Sequence, residues 1–157
     1  MPSIEKSNDP VVAFNRQARH EYKILETFEA GMELKGSEIK SIREGAINLK
    51  EGYAHVVNGE LFLEGVHISP YLQANLMNHE PVRTRRLLMH RREIDHLQAE
   101  TQLKRLTLIP LKVFFKNGRA KIEIGLAQGK KFQDKREDIK KRETKRLLDR
   151  AQKAKQR

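Results

Sequence analysis

Between residues 106 and 126 a run of Leu, Val, Ile and Phe gives way to a strict alternation. Ala120, Ile122, Ile124 and Leu126 take every second place, and Lys121, Glu123, Gly125 and Ala127 take the others. That period of two predicts a strand with one face buried and the other in water. Asn117-Gly118 sits between the halves, the dipeptide suited to a turn with positive φ at both central positions, so the segment predicts a hairpin. A second hairpin is predicted for 53–57 and 61–64 around Asn58-Gly59. A short run at 66–68 stops before Pro70, and 22–28 alternates more loosely, with Tyr22, Ile24, Glu26 and Phe28 at the even positions.

Helical spacing is rarer. Ser37 is a candidate N-cap for a helix carrying Ile39 and Ile42 on one face, with Gly45 ending it. The segment 91–98 places Ile94 and Leu97 together and Glu93 in the first turn, where the helix dipole favours an acid. Residues 71–82 read as a loop. About six short strands interrupted by two or three short helices predict a mainly β fold, a small antiparallel barrel. The two Asn-Gly hairpins are the only internal repetition.

Composition narrows the picture. With 157 residues and 38% hydrophobic content there is material for one core. Cys is absent, which rules out disulfides and thiolate metal sites and suits a reducing compartment. The N-terminus lacks a signal-peptide pattern, and no segment approaches the ~20 apolar residues of a membrane span. A soluble, cytoplasmic protein is expected. The formal charge is +11, and residues 129–157 hold 13 Lys/Arg against 5 Asp/Glu, a net +8, so 1–128 carry only +3. This division predicts a disordered N-terminus at 1–13, a globular body at 14–128 and a basic tail at 129–157. Such a charge points to nucleic acid as partner. An anionic membrane is the weaker option, because the tail offers mainly Ile139, Leu147 and Leu148 as large apolar residues.

Several catalytic readings fail on spacing. Gly125 and Gly129 are followed by Lys130 and Lys131, but the glycines stand one residue too close for a phosphate loop, and Lys131 replaces the magnesium-binding Ser or Thr. A strand ending at Gly129 before a basic linker is expected instead. The six histidines (His20, His55, His67, His79, His90 and His96) form no zinc-binding helix pair, and no Ser lies in a nucleophile-elbow context. Glu93 and Asp95 read as solvated charge on an Arg-rich helix. No catalytic residue, metal or cofactor is expected.

Two basic clusters fit RNA better. Asn15-Arg16-Gln17-Ala18-Arg19-His20-Glu21-Tyr22 combines phosphate-binding Arg16 and Arg19 with His20 and Tyr22, which can stack on a base. Arg83-Thr84-Arg85-Arg86 is the second cluster. Both are equally compatible with ordinary basic surface. In the tail, Glu137 with Lys141 and Asp138 with Arg142 are i,i+4 pairs in the favourable orientation, each stabilising a helix by about 0.2–0.5 kcal/mol. A narrow apolar stripe of Leu147, Ala151 and Ala154 makes that helix marginal alone, so folding on a polyanion is expected.

In order along the chain, the Asn15–Tyr22 block, Phe28-Glu29-Ala30-Gly31, Arg83-Thr84-Arg85-Arg86-Leu87-Leu88 and Gly129-Lys130-Lys131 with Asp134-Lys135-Arg136 resemble the signature blocks of the SsrA-binding protein (small protein B) family. The resemblance runs from about Asn15 to the C-terminus. It implies an oligonucleotide-binding-type barrel that binds the tRNA-like domain of transfer-messenger RNA, fills the place of its missing anticodon stem and brings it to stalled ribosomes. The tail is then disordered when free, and helical in the decoding centre and empty mRNA channel. Body contacts implied are Asn15, Arg16, Arg19, His20, Glu29, Arg83, Arg85, Lys121, Gly129, Lys130 and Lys131. Tail contacts with the ribosome are Phe132, Gln133, Asp134, Lys135, Arg136, Lys140, Lys141 and Arg142. Phe132-Gln133 departs from members that carry His or Tyr there, so either residue is open as the one that stacks on ribosomal RNA. Glu29 is read as an acceptor for base amino groups or an anchor for a neighbouring Arg. A monomer is expected. A small ribosomal structural protein or a general RNA-binding module is the alternative, while an RNA-processing enzyme lacks a catalytic constellation.

Overall fold

A computed structural model describes residues 10–129 and 132–155. Within these the elements run β1 (Val11–Phe14), α1 (Ala18–Glu21), β2 (Tyr22–Met32), α2 (Gly36–Arg43), β3 (Ile47–Asn48), β4 (Tyr53–Val57), β5 (Glu60–Glu64) and β6 (His67–Ile68). A 3-10 segment at Leu72–Met77 follows, then β7 (Arg85–Leu88), α3 (Arg91–Lys104), β8 (Thr107–Lys116), β9 (Arg119–Gly129) and α4 (Phe132–Lys155). Six strands close a ring in the order β8-β4-β5-β7-β2-β9, because β9 pairs back onto β8. Every pairing is antiparallel. The mainly β class and the count of about six strands are as the hydrophobic periodicity predicts, but the 66–68 run becomes β6 outside the ring and β7, which the periodicity does not show, takes its place. β1 is added to β8 beyond β4, and β3 with β6 forms a separate ribbon.

Both Asn-Gly turns carry the expected backbone, with φ of 50° and 76° at Asn58 and Gly59 and 52° and 75° at Asn117 and Gly118. Inside the ring Leu61, Leu63, Leu87, Leu108, Val113, Ile122, Ile124 and Leu126 are fully buried, joined by Ile42 of α2 and Ile94 and Leu97 of α3. The alternation along β9 therefore reads correctly as far as Ile122 and Ile124. It fails further on, where the outward residues Gly125 and Ala127 are also buried. Ala18, Ile109, Leu111 and Ala127 build a second small core outside the ring, with Tyr22 and Ile24 against it. A side chain at Gly125 would meet Leu111 at 3.0 Å, so glycine is what lets this outer layer close over β9.

Several boundaries differ from expectation. Disorder is expected through residue 13, but Val11–Phe14 pairs with β8; residues 1–9 lie outside the described residues. Helix α2 starts at Gly36, and its cap is not Ser37. The Glu38 carboxylate accepts the Lys35 N–H at 2.8 Å, and Ser37 is buried with its hydroxyl 2.8 Å from His79 Nδ1. Strand β7 was hidden by its basic residues, and α3 runs on to Lys104 because Leu97 and Ile94 anchor it.

The tail carries the helix α4, whereas a tail disordered when free is expected from the sequence. Residues 140–151 of α4 are exposed all round, with Leu147 at 64% and Leu148 at 61%. Among the described residues no helix is long and apolar enough to cross a membrane.

Candidate nucleic-acid interface

Strands β8, β9 and β2 lie side by side on one wall of the barrel, and their registers array the outward side chains in rows. Lys112, Glu123 and Glu29 form one row, and Phe114, Lys121 and Gly31 the next, with Leu88 of β7 beyond Gly31. Lys116 and Arg119 flank the hairpin turn below. A side chain at Gly31 would meet Leu88 Cβ at 3.4 Å and Lys121 Nζ at 3.6 Å, so the missing Cβ leaves room for that lysine. Glu29 Oε1 and Oε2 both lie 3.4 Å from Lys116 Nζ. Lys116 is thus the cation beside Glu29, a place expected for a neighbouring Arg as the alternative to base amino groups.

The β8 strand bends in the middle of this wall. Pro110 opposes Ile124 and Lys112 opposes Glu123, leaving Leu111 as an extra residue, a β-bulge. Leu111 goes to the outer core, and Lys112 still faces outward beside Phe14 of β1. Asn15 clamps the bulge: its backbone N–H donates to the Leu111 carbonyl at 2.8 Å and its Nδ2 to the Pro110 carbonyl at 3.0 Å. The side-chain donors of Asn15, expected on RNA, are therefore engaged in holding α1 and β1 against β8.

Three adjoining cavities mark the wall. One of about 390 Å³ is lined by Phe14, Asn15, Arg16, Arg19, Leu111, Lys112 and Glu123. The next, about 330 Å³, lies over Phe28, Glu29, Phe114, Lys116 and Glu123, and a third of about 460 Å³ over Glu29, Lys116, Asn117, Arg119 and Lys121. The structure thus brings Arg16 and Arg19 to one end of a continuous groove and Glu29 and Lys121 to the other. Four groups in it were missed by sequence reasoning: Phe14, which is 62% exposed, and Lys112, Lys116 and Arg119. The signal for the lysines was available, since they stand at alternate positions in the run 106–115 and just after it. His20 is half-buried on α1, and Gly129 is exposed where β9 ends against Tyr22.

Arg83 and Arg85 do not join the groove. Arg85 points into the barrel and is fully buried; its Nε donates to Glu38 Oε2 at 2.5 Å and its Nη1 to the Val66 carbonyl at 2.8 Å. Arg83 donates to the other Glu38 oxygen, also at 2.5 Å. The assignment of Arg85 as an RNA contact is corrected, since it has no exposed surface to offer, and both guanidiniums are engaged by Glu38 of α2. The exposed member of the cluster is Arg86, which pairs with Glu60 at 3.3 Å. Burial raises the Glu38 carboxyl, but hydrogen bonds from Arg83, the Lys35 N–H and Arg85 outweigh it and hold the group below its ordinary value.

Lys130 and Lys131 lie outside the described residues, as do the side chains of Phe132, Gln133, Asp134, Lys135 and Arg136 in the first turns of α4. Lys140, Lys141 and Arg142 are exposed on that helix. Among the described residues no group of His, Asp and Glu is arranged to hold a metal ion.

A closed six-stranded barrel with a groove of cations and aromatics on its outer wall defines a protein of the oligonucleotide-binding class. Residues 12–154 match the family described as SmpB protein, and the chain belongs to that family. It is 61% identical over 141 residues to the SsrA-binding protein of Pelotomaculum thermopropionicum, covering 90% of this chain and 92% of that one. To the SsrA-binding protein of Desulforudis audaxviator it is 57% identical over 152 residues, covering 97% and 99%. A chain in the solved structure presented as "tmRNA-SmpB: a journey to the center of the bacterial ribosome" superposes with a TM-score of 0.66 at 47% identity, covering 78% of this chain and 86% of that one.

Proposed function

We propose that this protein binds the tRNA-like domain of transfer-messenger RNA through the groove on β1, β8, β9 and β2 and delivers it to stalled ribosomes for trans-translation. The observation that carries the reading is the near full-length identity to SsrA-binding proteins, with the cationic groove on the same barrel. Arg16, Arg19, Lys112, Lys116 and Lys121 supply phosphate contacts, and Phe14 and His20 supply stacking surface. The part is one of binding and positioning, without catalysis, and it is played in the cytoplasm, where the ribosomes are.

The tail is the second module. A helix with no wide apolar face is marginal in water, and binding to a polyanion stabilises it. Lys140, Lys141 and Arg142, with the Phe132–Arg136 stretch before them, contact the small subunit, and the helix tests whether the decoding centre and mRNA channel are empty. The test of the whole reading is to sequence the RNA that co-purifies with the protein from its own cell. Enrichment of transfer-messenger RNA over ribosomal RNA is expected. Recovery in fixed proportion to all ribosomes would make it a structural component instead.

A further inference from the structure

Among the described residues, one carboxylate of the groove has no counterion. Glu123 stands on β9 between Lys112 of β8 and Glu29 of β2. Glu29 is balanced by Lys116, but Lys112 leans over the Phe114 ring, its Nζ 5.5 Å from the centroid. No Lys, Arg or His nitrogen of the described residues comes within 4 Å of the Glu123 carboxylate. Glu29 opposite it on β2 is an unfavourable neighbour, Lys112 opposite it on β8 closes no ion pair with it, and a carboxylate repels phosphate, so neither ion pairing nor backbone binding accounts for it.

What surrounds Glu123 does account for it. The cavity of about 390 Å³ that it lines is lined also by the exposed Phe14 and by Arg16, Arg19 and Lys112. An aromatic face takes a base by stacking, cations take the phosphates on either side, and an ionised carboxylate is an acceptor only. Such an acceptor suits the amino group of cytosine, adenine or guanine. Uracil offers only its N3–H, set between two carbonyl oxygens that repel a carboxylate, and is the poorer partner.

We propose that Glu123 is a specificity residue: it reads the amino edge of one unstacked base seated against Phe14, so this end of the groove prefers an amino-bearing base to uracil. The inference rests on the reading of the groove as an RNA site and adds a base preference to it.

Cytosine and uracil stack alike and differ on this edge, so they make the test. Full-length protein is titrated with labelled oligomers of cytidine and of uridine, about ten nucleotides long, the length suited to a single barrel. Wild type should bind the cytidine oligomer about fivefold or more tighter, the low end of a good base-edge contact. Glu123→Gln should abolish the preference, because an amide offers both a donor and an acceptor. Phe14→Ala should weaken both oligomers and shrink the ratio. A Glu123→Gln protein that binds both oligomers more tightly with the ratio unchanged would show a merely repulsive charge and overturn the proposal. So would a wild type with no preference, or one that binds neither oligomer. A parallel gel shift with the tRNA-like domain separates the two readings. Retained binding there without a cytidine preference removes the role of Glu123 alone, whereas loss of binding there removes the function proposed for the groove.

Discussion

Arg85 Nε donates to Glu38 Oε2 at 2.5 Å with both side chains fully buried, and this pair fastens β7 to α2 across the barrel wall. Removing one partner strands the other charge in the interior. Glu38→Gln is expected to lower unfolding free energy by about 3–5 kcal/mol, read by urea denaturation. A loss under about 1 kcal/mol would mean that the Val66 and Pro81 carbonyls alone suffice for Arg85.

The same carboxylate sets a pH dependence. Its folded value lies below the ordinary one, so its contribution is fully present above the ordinary carboxylate range and is lost as pH falls through the lowered value. Stability of the wild type should decline with acid across that window, and the decline should be shallower in Glu38→Gln. Identical acid profiles for the two proteins would place the effect elsewhere.

Arg16 and Arg19 should behave differently from Arg83 and Arg85. Alanine at either of the first two is expected to weaken binding to the tRNA-like domain with the melting temperature unchanged. The salt slope should fall by about one for each phosphate left without its arginine. Arg85→Met should do the reverse, lowering stability while the folded fraction keeps its affinity. Titration at several salt concentrations beside a thermal melt separates the two classes.

Asn15→Ala frees the Pro110 carbonyl and loosens the bulge clamp. A stability loss of about 1 kcal/mol is expected, with reduced RNA affinity because Arg16 and Arg19 follow directly on the same turn. Unaltered stability would leave the amide free for RNA.

Cutting the chain after Gln133 should spare the barrel's melting temperature and its RNA affinity while abolishing tagging of stalled peptides, since residues 140–151 bury no side chain against the barrel. A truncated protein that still supports tagging would dismiss the tail as the ribosomal sensor.

The barrel was legible because its strands obey a period of two and its hairpins carry Asn-Gly. Strand β7 was not, because Arg85-Arg86 in a strand reads as surface until Glu38 is seen to neutralise the inward one. That partner lies 47 residues away, beyond the reach of any local pattern. Basic clustering found Arg16 and Arg19, which do face the groove. It also selected Arg85, since cluster membership does not say which side of a strand a side chain takes. Phe14 escaped because it borders the stretch expected to be disordered, and Lys112 and Lys116 because the apolar run around them reads as core, although their even spacing was there to be seen.

That bulge also constrains how the chain can change length. Leu111 is the one residue by which β8 outruns its partner. Deleting it would make the ladder regular, with Pro110 and Lys112 still opposite Ile124 and Glu123, and would cost only the Leu111 side chain of the outer core and the bend that Asn15 clamps. A single in-frame codon lost at the bulge would therefore loosen the outer core and the seat of Asn15 while leaving the barrel core and the order of the outer side chains in place. Length variation among descendants of this sequence should spare β8 and collect in the loops.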